Sequence, residues 1–257
     1  MKLVTWNINS IRARLDILAD WLQRREPDVL CLQETKVTDD LFPAAQLADL
    51  GYTAAFAGEK SYNGVAILTR GPATDVRIEF PLASNVDRRL ISCAYQGVRV
   101  YCAYFPNGRG VDTEHYAAKL QWIDALGELI FGALPEPGVD HVALLGDFNV
   151  APEPRDVYSV EKMEGQLHFT IQERETLQRL LERGFVDSFR ALRPEPGIYS
   201  WWDYRINMFK RKLGLRIDHV WTTPALAARA VEAYVDIEER AREHASDHAP
   251  VLVEFDV

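Results

Sequence analysis

His141-Val142-Ala143-Leu144-Leu145-Gly146-Asp147-Phe148-Asn149 is an apolar run that ends abruptly in a carboxylate and an amide. A short apolar run bounded by polar residues reads as a buried strand. Three further places in the chain repeat the pattern. Leu3-Val4-Thr5-Trp6 leads into Asn7, and Val29-Leu30-Cys31-Leu32-Gln33 leads into Glu34. Ser246-Asp247-His248 stands just before Ala249-Pro250-Val251-Leu252. Polar groups at strand ends can converge on one rim of a sheet, where α/β proteins place their sites. A single such residue is an ordinary strand cap. Four clusters built from carboxylate, amide and imidazole groups point to one chemical site.

Working outward, strands are expected at Leu3–Ile8, Val29–Gln33, Gly64–Thr69, Leu90–Tyr95, Arg99–Phe105, His141–Leu145, Arg216–Thr222 and Val251–Phe255. Helices are expected over Ile11–Arg25, Glu114–Phe131 and Ile171–Arg183. In the first, Ile11, Leu15, Leu18, Trp21 and Leu22 share a face, Ser10 is placed to cap the start, and Pro27 forbids continuation. Thr170 and Glu173 form a capping box before the third. Pro135-Glu136-Pro137-Gly138 and Pro194-Glu195-Pro196-Gly197 read as loops, and no segment reads as a linker. The expectation is a single α/β domain over residues 1–257, with two packed sheets and helices outside.

A chain of 257 residues buries roughly three quarters of its unfolded surface and needs no disulfide or metal staple. Its 47% hydrophobic and 26% charged composition excludes a disordered or low-complexity chain. A net charge of −9 excludes coating of nucleic acid by bulk charge, though not a local basic site. Cys31, Cys93 and Cys102 lie in apolar runs without a Cys-x-x-Cys, so buried thiols in a reducing compartment are expected. Asn7 and Asn9 come too early for a secretory signal, and no apolar stretch approaches the roughly 18 residues that span a bilayer. A cytoplasmic protein without membrane contact is expected.

Glu34, Asp147, Asp247 and the amides of Asn7 and Asn149 offer oxygen ligands suited to Mg²⁺ or Mn²⁺. Zinc is disfavoured by the lack of His-Glu-x-x-His or paired cysteines. Neither a P-loop nor a Gly-x-Ser-x-Gly elbow is present. A carboxylate-held metal beside a His–Asp pair suits phosphoester hydrolysis.

The same residues carry a resemblance. Trp6-Asn7-Ile8-Asn9-Ser10-Ile11-Arg12, Leu32-Gln33-Glu34-Thr35-Lys36 and Tyr104-Phe105-Pro106-Asn107-Gly108 resemble motifs of the exonuclease III family. So do Gly146-Asp147-Phe148-Asn149-Val150-Ala151, Gly214-Leu215-Arg216-Ile217-Asp218 and Ser246-Asp247-His248-Ala249-Pro250. These motifs run in order, and the resemblance extends from Lys2 to Phe255. It implies a four-layer α/β sandwich, two packed mixed β-sheets flanked by helices, like deoxyribonuclease I. It implies Mg²⁺-dependent hydrolysis of DNA phosphodiesters in base-excision repair, with Mn²⁺ as a substitute. The implied activities are 3′–5′ exonuclease action on duplex DNA, cleaning of blocked 3′ ends and incision at abasic sites. The implied partner is double-stranded DNA with abasic sites, nicks or blocked 3′ ends, met by a monomer.

Carried over residue by residue, the resemblance makes Glu34 the principal metal ligand, supported by Asn7 and, more remotely, Asp247. Asp147 and Asn149 orient and activate the attacking water, and both are candidate ligands, as is His248. His248 contacts the scissile phosphate, with Asp218 on its other ring nitrogen; either Asp147 or His248 can serve as the general base. Tyr104 contacts the same phosphate. DNA contact falls to Arg205, Lys210, Arg211, Lys212 and Arg216, with Arg88, Arg89, Asn107 and Arg109 as further candidates. Trp201, Leu215 and Ile217 match the pocket for an extruded sugar. Three positions depart from the pattern: Leu215 stands where many relatives carry Trp, His219 where an aromatic or Leu is usual, and His168 where many carry a small residue. His168 either fills the sugar pocket and weakens abasic-site incision, or points to solvent and caps a turn. Two rival functions are a phosphoesterase acting on small-molecule or lipid phosphates, and a catalytically inert DNA- or partner-binding module.

Overall fold

The computed structural model describes residues 1–257. Twelve strands run through the chain: β1 (Lys2–Asn7), β2 (Val29–Gln33), β3 (Thr53–Ala57), β4 (Val65–Thr69), β5 (Thr74–Ile78) and β6 (Leu90–Tyr95), then β7 (Val98–Tyr104), β8 (His141–Asp147), β9 (Val186–Asp187), β10 (Asp218–Thr222), β11 (Ala230–Val235) and β12 (Val251–Phe255). They form two six-stranded sheets, ordered β11-β12-β1-β2-β4-β3 and β5-β6-β7-β8-β10-β9. Both sheets are mixed: β1 and β2, and likewise β7 and β8, run parallel among antiparallel neighbours.

Alternate residues of each interior strand face opposite sides, and the apolar clusters divide accordingly. Leu3, Val29, Cys31 and Ile67 from one sheet meet Ile91, Val100, Cys102 and Leu145 from the other. Val4, Trp6, Leu30 and Leu32 face outward onto Leu18, Trp21 and Leu22 of the helix Leu15–Arg25. Tyr101, Leu144 and Trp221 face Trp122, Ile123 and Leu126 of the helix Glu114–Gly132 and Leu177 of Ile171–Glu182. The result is the helix–sheet–sheet–helix sandwich expected from the sequence. All three cysteines are buried free thiols. No helix is long and apolar enough to cross a membrane.

The eight expected strands are the eight interior ones; Val29–Gln33, Leu90–Tyr95 and Val251–Phe255 have the expected bounds, and the other five differ by a residue or two at one or both ends. The four unforeseen strands, β3, β5, β9 and β11, are the four sheet edges. The capping box is present in both directions, from Thr170 to Glu173 and back. Ser10 does not cap the first helix. Asn9 and Ser10 take left-handed backbone angles (φ 46° and 85°), and the helix starts at Leu15 behind Arg14, which provides no side-chain cap. The left-handed step lets the Ser10 and Ile11 amides bond the carbonyls of Glu34 and Thr35, tying this loop to the end of β2.

Strand register brings polar ends together. Asn7 pairs with Gln33 at the ends of β1 and β2, while Tyr104, Asp147 and Asp218 lie side by side across β7, β8 and β10. Gly146 is required by this arrangement, because a Cβ there would stand 1.8 Å from the Ala103 carbonyl oxygen.

Arg216 overturns its expected role in DNA contact. Its side chain is fully buried, with Nε 2.7 Å from Asp156 Oδ1 and a terminal nitrogen 2.7 Å from Asp187 Oδ2. Arg190 joins Asp156 from the other side at 3.0 Å. His219, the unusual residue of its motif, belongs to the same network. It meets Arg216 at Nδ1 (2.9 Å) and donates from Nε2 to the Val150 carbonyl (3.1 Å). The side chain therefore faces inward to anchor the start of β10, not outward to a phosphate. Burial works to raise the Asp156 and Asp187 carboxyls, but the arginine charges outweigh it and hold both below the ordinary range. Their stabilisation is complete above the unfolded carboxyl value near 3.8 and is lost as pH falls below it. Arg216→Met, which strands a buried carboxylate, should lower unfolding free energy by about 3–5 kcal/mol in urea melts at pH 7; a loss too small to resolve would show that the network is not structural.

Candidate active site

The strand ends surround a cavity of about 120 Å³ lined by Glu34, Tyr104, Asn107, Asp147, Asn149, His168, Trp201, Ile217, Asp247 and His248. Asn7 is the clamp between the two sheets. Its Nδ2 donates to Glu34 Oε1 (2.8 Å) and Asp147 Oδ2 (2.9 Å), while its Oδ1 accepts from the Asn9 amide (3.0 Å). Two carboxylate acceptors require the nitrogen on that side, so Asn7 holds the acidic groups and does not present an oxygen ligand as expected. Glu34 Oε2 accepts from Lys36 Nζ at 2.7 Å. Burial works to raise the Glu34 carboxyl, but the Lys36 charge and the donors from Lys36 and Asn7 hold it below its ordinary value. Glu34, Asn149 and His168 all have left-handed backbone angles (φ 52°, 53° and 74°). Such strain concentrates at functional sites.

His248 forms a unit with Asp218. Its Nδ1 lies 2.8 Å from Asp218 Oδ2, and its Nε2 is 3.8 Å from Asp147 Oδ2. Ser200 Oγ donates to the same Asp218 oxygen (2.6 Å) and accepts from the amides of Ile217 and Asp218, which fixes the carboxylate. Burial alone would lower the imidazole pKa, but the carboxylates of Asp218 and Asp147 push it up to about 10. In the metal-free protein this arrangement makes His248 a charged donor toward an anion. Burial pushes Asp147 up to about 7, opposed by the His248 charge. Asp147 Oδ1 accepts from the Asn149 amide at 2.9 Å. Glu34, Asp147 and His248 each place one ligand atom within 4.8 Å of the others, a group that could hold a metal ion. Asp247 stands apart from it, held by Asn9 (2.9 Å) and Trp201 (3.0 Å).

Tyr104 is kept protonated. Burial, then the charges of Glu34 and Asp147, raise its pKa well above 10, so the phenol can donate. His168 points into the cavity and not to solvent. Its Nδ1 donates to the Asn149 carbonyl (2.6 Å), and burial and then the Lys119 charge lower its pKa to about 4. Trp201 and Ile217 line the cavity as expected; Leu215 packs behind them, buried, in backbone register with Trp201. Asn107 reaches Asn149 Oδ1 at 3.1 Å. Arg89 lies over the Tyr104 ring at 4.7 Å, whereas Arg88 lies over Phe80 and Arg109 meets His115.

The basic loop is not gathered into this cavity. It begins at the rim, where the Trp202 amide bonds the Asp247 carbonyl and the Tyr204 hydroxyl bonds the Ala245 carbonyl. Lys210 and Lys212 then line a separate cavity of about 610 Å³ with Trp202, Phe209 and Tyr234. Arg205 and Arg211 are exposed, and Arg205 pairs with Asp203.

Sequence reasoning missed Asn9, Lys36, Lys119, Glu173 and Ser200. Asn9 lies inside the Trp6–Arg12 motif and Lys36 ends the Leu32–Lys36 motif. Lys119 carried its own signal: a lysine on the apolar stripe shared by Tyr116, Ile123 and Leu126. In metal-free protein the His248 imidazole should stay protonated through neutral pH and titrate near 10 by histidine NMR. Asp218→Asn should bring it back toward the ordinary value of about 6.5; no downward movement would break the assigned coupling.

Comparisons with known proteins agree with this geometry. Residues 4–248 match the model of the Endonuclease/Exonuclease/phosphatase family. The chain is 34% identical to exodeoxyribonuclease III of Haemophilus influenzae, covering 99% of this chain and 100% of the relative. It is similar to the solved structure of the 3′ phosphatase NExo from Neisseria bound to a product DNA hairpin, with 43% identity, full coverage of both chains and a TM-score of 0.97. It is also similar to an AP endonuclease from Archaeoglobus fulgidus, with 40% identity, full coverage of both and a TM-score of 0.94. The chain belongs to the Endonuclease/Exonuclease/phosphatase family.

Proposed function

We propose that this chain is a Mg²⁺-dependent DNA-repair nuclease of the exodeoxyribonuclease III type, acting as a monomer on duplex DNA with nicks, abasic sites or blocked 3′ ends. The observation that carries the reading is the convergence of Glu34, Asp147, Asn149 and His248 on one small cavity, with Asp218 behind the imidazole and Asn7 joining the two carboxylates. An inert binding module requires no such constellation. Relatives over the full length are nucleases and 3′-end phosphatases by name, which favours DNA over small-molecule or lipid phosphates.

Glu34 and Asp147 offer hard carboxylate oxygens close enough to share a small divalent cation, while Asp247, bonded to Asn9 and Trp201, lines the same cavity. When bound, Mg²⁺ supplies neutralisation of the charge that develops on the phosphate. His248, held charged by Asp218, donates to a non-bridging phosphate oxygen, and the neutral Tyr104 phenol is a second donor. Asp147, whose Oδ1 holds the Asn149 amide, receives the proton of the attacking water, whose orientation is set with Asn149. Arg89, over the Tyr104 ring, and the exposed Arg205, Lys210, Arg211 and Lys212 of the basic loop are the candidates for backbone phosphate contact.

His168 sets the balance of activities. Its imidazole occupies space next to Trp201, with ring centres 5.9 Å apart. An internal abasic sugar must enter that space, whereas a frayed 3′ end approaches without the same squeeze. Overfilling costs roughly 1–3 kcal/mol, which slows incision by about ten- to a hundredfold. His168→Gly also removes a side chain from a left-handed backbone position that glycine adopts freely. The ratio of abasic-site incision to 3′-phosphate removal should therefore rise in this variant; an unchanged ratio overturns the steric role.

The activity itself is tested with a 3′-recessed duplex and a 3′-phosphorylated nick in Mg²⁺, with and without chelator. Products should form only with metal; products from lipid or inositol phosphates alone would overturn the DNA assignment. Glu34→Ala should leave the fold intact by circular dichroism and cut activity steeply at limiting Mg²⁺, with partial recovery at high Mn²⁺. Full activity at limiting Mg²⁺ would remove Glu34 from the metal site.

A further inference from the structure

We propose that Lys119, held by Glu173, is a positioning residue that sets the backbone turn carrying Asn149 and thereby the reacting geometry of the cavity. The inference rests on the reading of Asn149 as a catalytic group.

Lys119 and Glu173 are both fully buried. The ammonium has three protons and three acceptors: Glu173 Oε1 at 2.5 Å, the Asn149 carbonyl at 2.8 Å and the Asn107 carbonyl at 3.3 Å. Pinning the helices Glu114–Gly132 and Ile171–Glu182 together would need only the first of these. The other two protons go to loops that leave β7 and β8, and both loops line the cavity. A buried ion pair is often replaceable by apolar packing without loss of stability. Its position at the back of a reactive residue points to geometry as its role.

Asn149 needs that support. Its φ of 53° is a left-handed conformation that a non-glycine residue keeps only where its surroundings over-determine it. Each of its polar groups is engaged. The amide donates to Asp147 Oδ1 (2.9 Å), Nδ2 donates to the Phe105 carbonyl (3.1 Å), and Oδ1 accepts from Asn107 (3.1 Å). The carbonyl receives Lys119 and His168 Nδ1. A charged donor holds a carbonyl more strongly than a neutral one. Without it, the turn keeps only the imidazole, and the Asn149 side chain and the Asp147 oxygen bonded to its amide can rotate away together.

Glu173 fixes Lys119 from a rigid base. Its Oε2 accepts from the Thr170 amide (3.0 Å), and its Oε1 also accepts from the His168 amide (3.2 Å). The start of one helix and the His168 amide thus share a single carboxylate, and Lys119 carries that anchor on to Asn149.

The test is a double-mutant cycle on kcat and KM for a 3′-phosphorylated nicked duplex in saturating Mg²⁺. Lys119→Met keeps length and removes charge; if it melts below the assay temperature, the charge-neutral pair Lys119→Met with Glu173→Gln takes its place throughout. The expected result is a kcat lowered about 10- to 100-fold, the cost of a small misplacement, with KM changed by less than about threefold. In an Asn149→Ala background the same change should cost less than about threefold further, because its route of action is already gone. A folded variant with the parent kcat would show a merely structural role and overturn the proposal. The full loss repeated on top of Asn149→Ala would show action by another route and also overturn it. If Asn149→Ala itself keeps the parent kcat, the reading of the site fails, a result distinct from both.

Discussion

One amide nitrogen is shared between two carboxylates from different sheets. Asn7 Nδ2 lies between Glu34, at the end of β2, and Asp147, at the end of β8. Two buried acids at this separation repel, and only a donor between them lets both stay close. Every other feature of the site follows from that constraint. Lys36 offsets Glu34 on its open side, His248 faces Asp147, and Asp218 with Ser200 keeps the imidazole charged. The sheets are packed so that these ends coincide, and the turns beyond them adopt left-handed angles to keep the side chains aimed inward.

The same economy of charge appears at each depth of the fold. Near the surface, arginines pair with acids that remain partly wetted, and such pairs contribute little. Deeper, the Arg190, Asp156, Arg216 and Asp187 network and the Lys119–Glu173 pair are closed to water and have their hydrogen bonds satisfied. Both of these buried groups lie directly behind strand ends that carry reactive residues. The first underlies β10 and therefore Asp218; the second underlies the loop that carries Asn149. The chain places its costly interior charges where a backbone shift of a fraction of an ångström would matter most.

Interior strands were legible in the sequence and edge strands were not, for a physical reason. β1, β2, β4 and β8 are almost wholly buried, so both faces must be apolar and the run stands out. β5, with Thr74, Asp75 and Val76 exposed, and β11, with Val231 and Glu232 exposed, lack that signal and pair on one side only. The reactive groups were legible because strand ends punctuate apolar runs with unmistakable chemistry. What escaped was direction. Arg216 sits among basic residues and looks like its neighbours, yet it turns inward, because Asp156 and Asp187 arrive from distant parts of the chain. Lys119 was hidden in the opposite way, as one polar residue in an apolar stripe whose three acceptors come from separate segments.

Trp6 Nε1 donates to the carbonyl of His248 across 242 positions of sequence, and β1 lies between β2 and β12. The first strand therefore waits for the last before its row of hydrogen bonds closes. During synthesis, the segment that carries Glu34 and Asp147 exists long before residues 246–255 emerge. A nascent chain can hold neither the imidazole nor the strand that fixes it. Closing the sheet and completing the site therefore depend on the same segment, which supplies both His248 and β12.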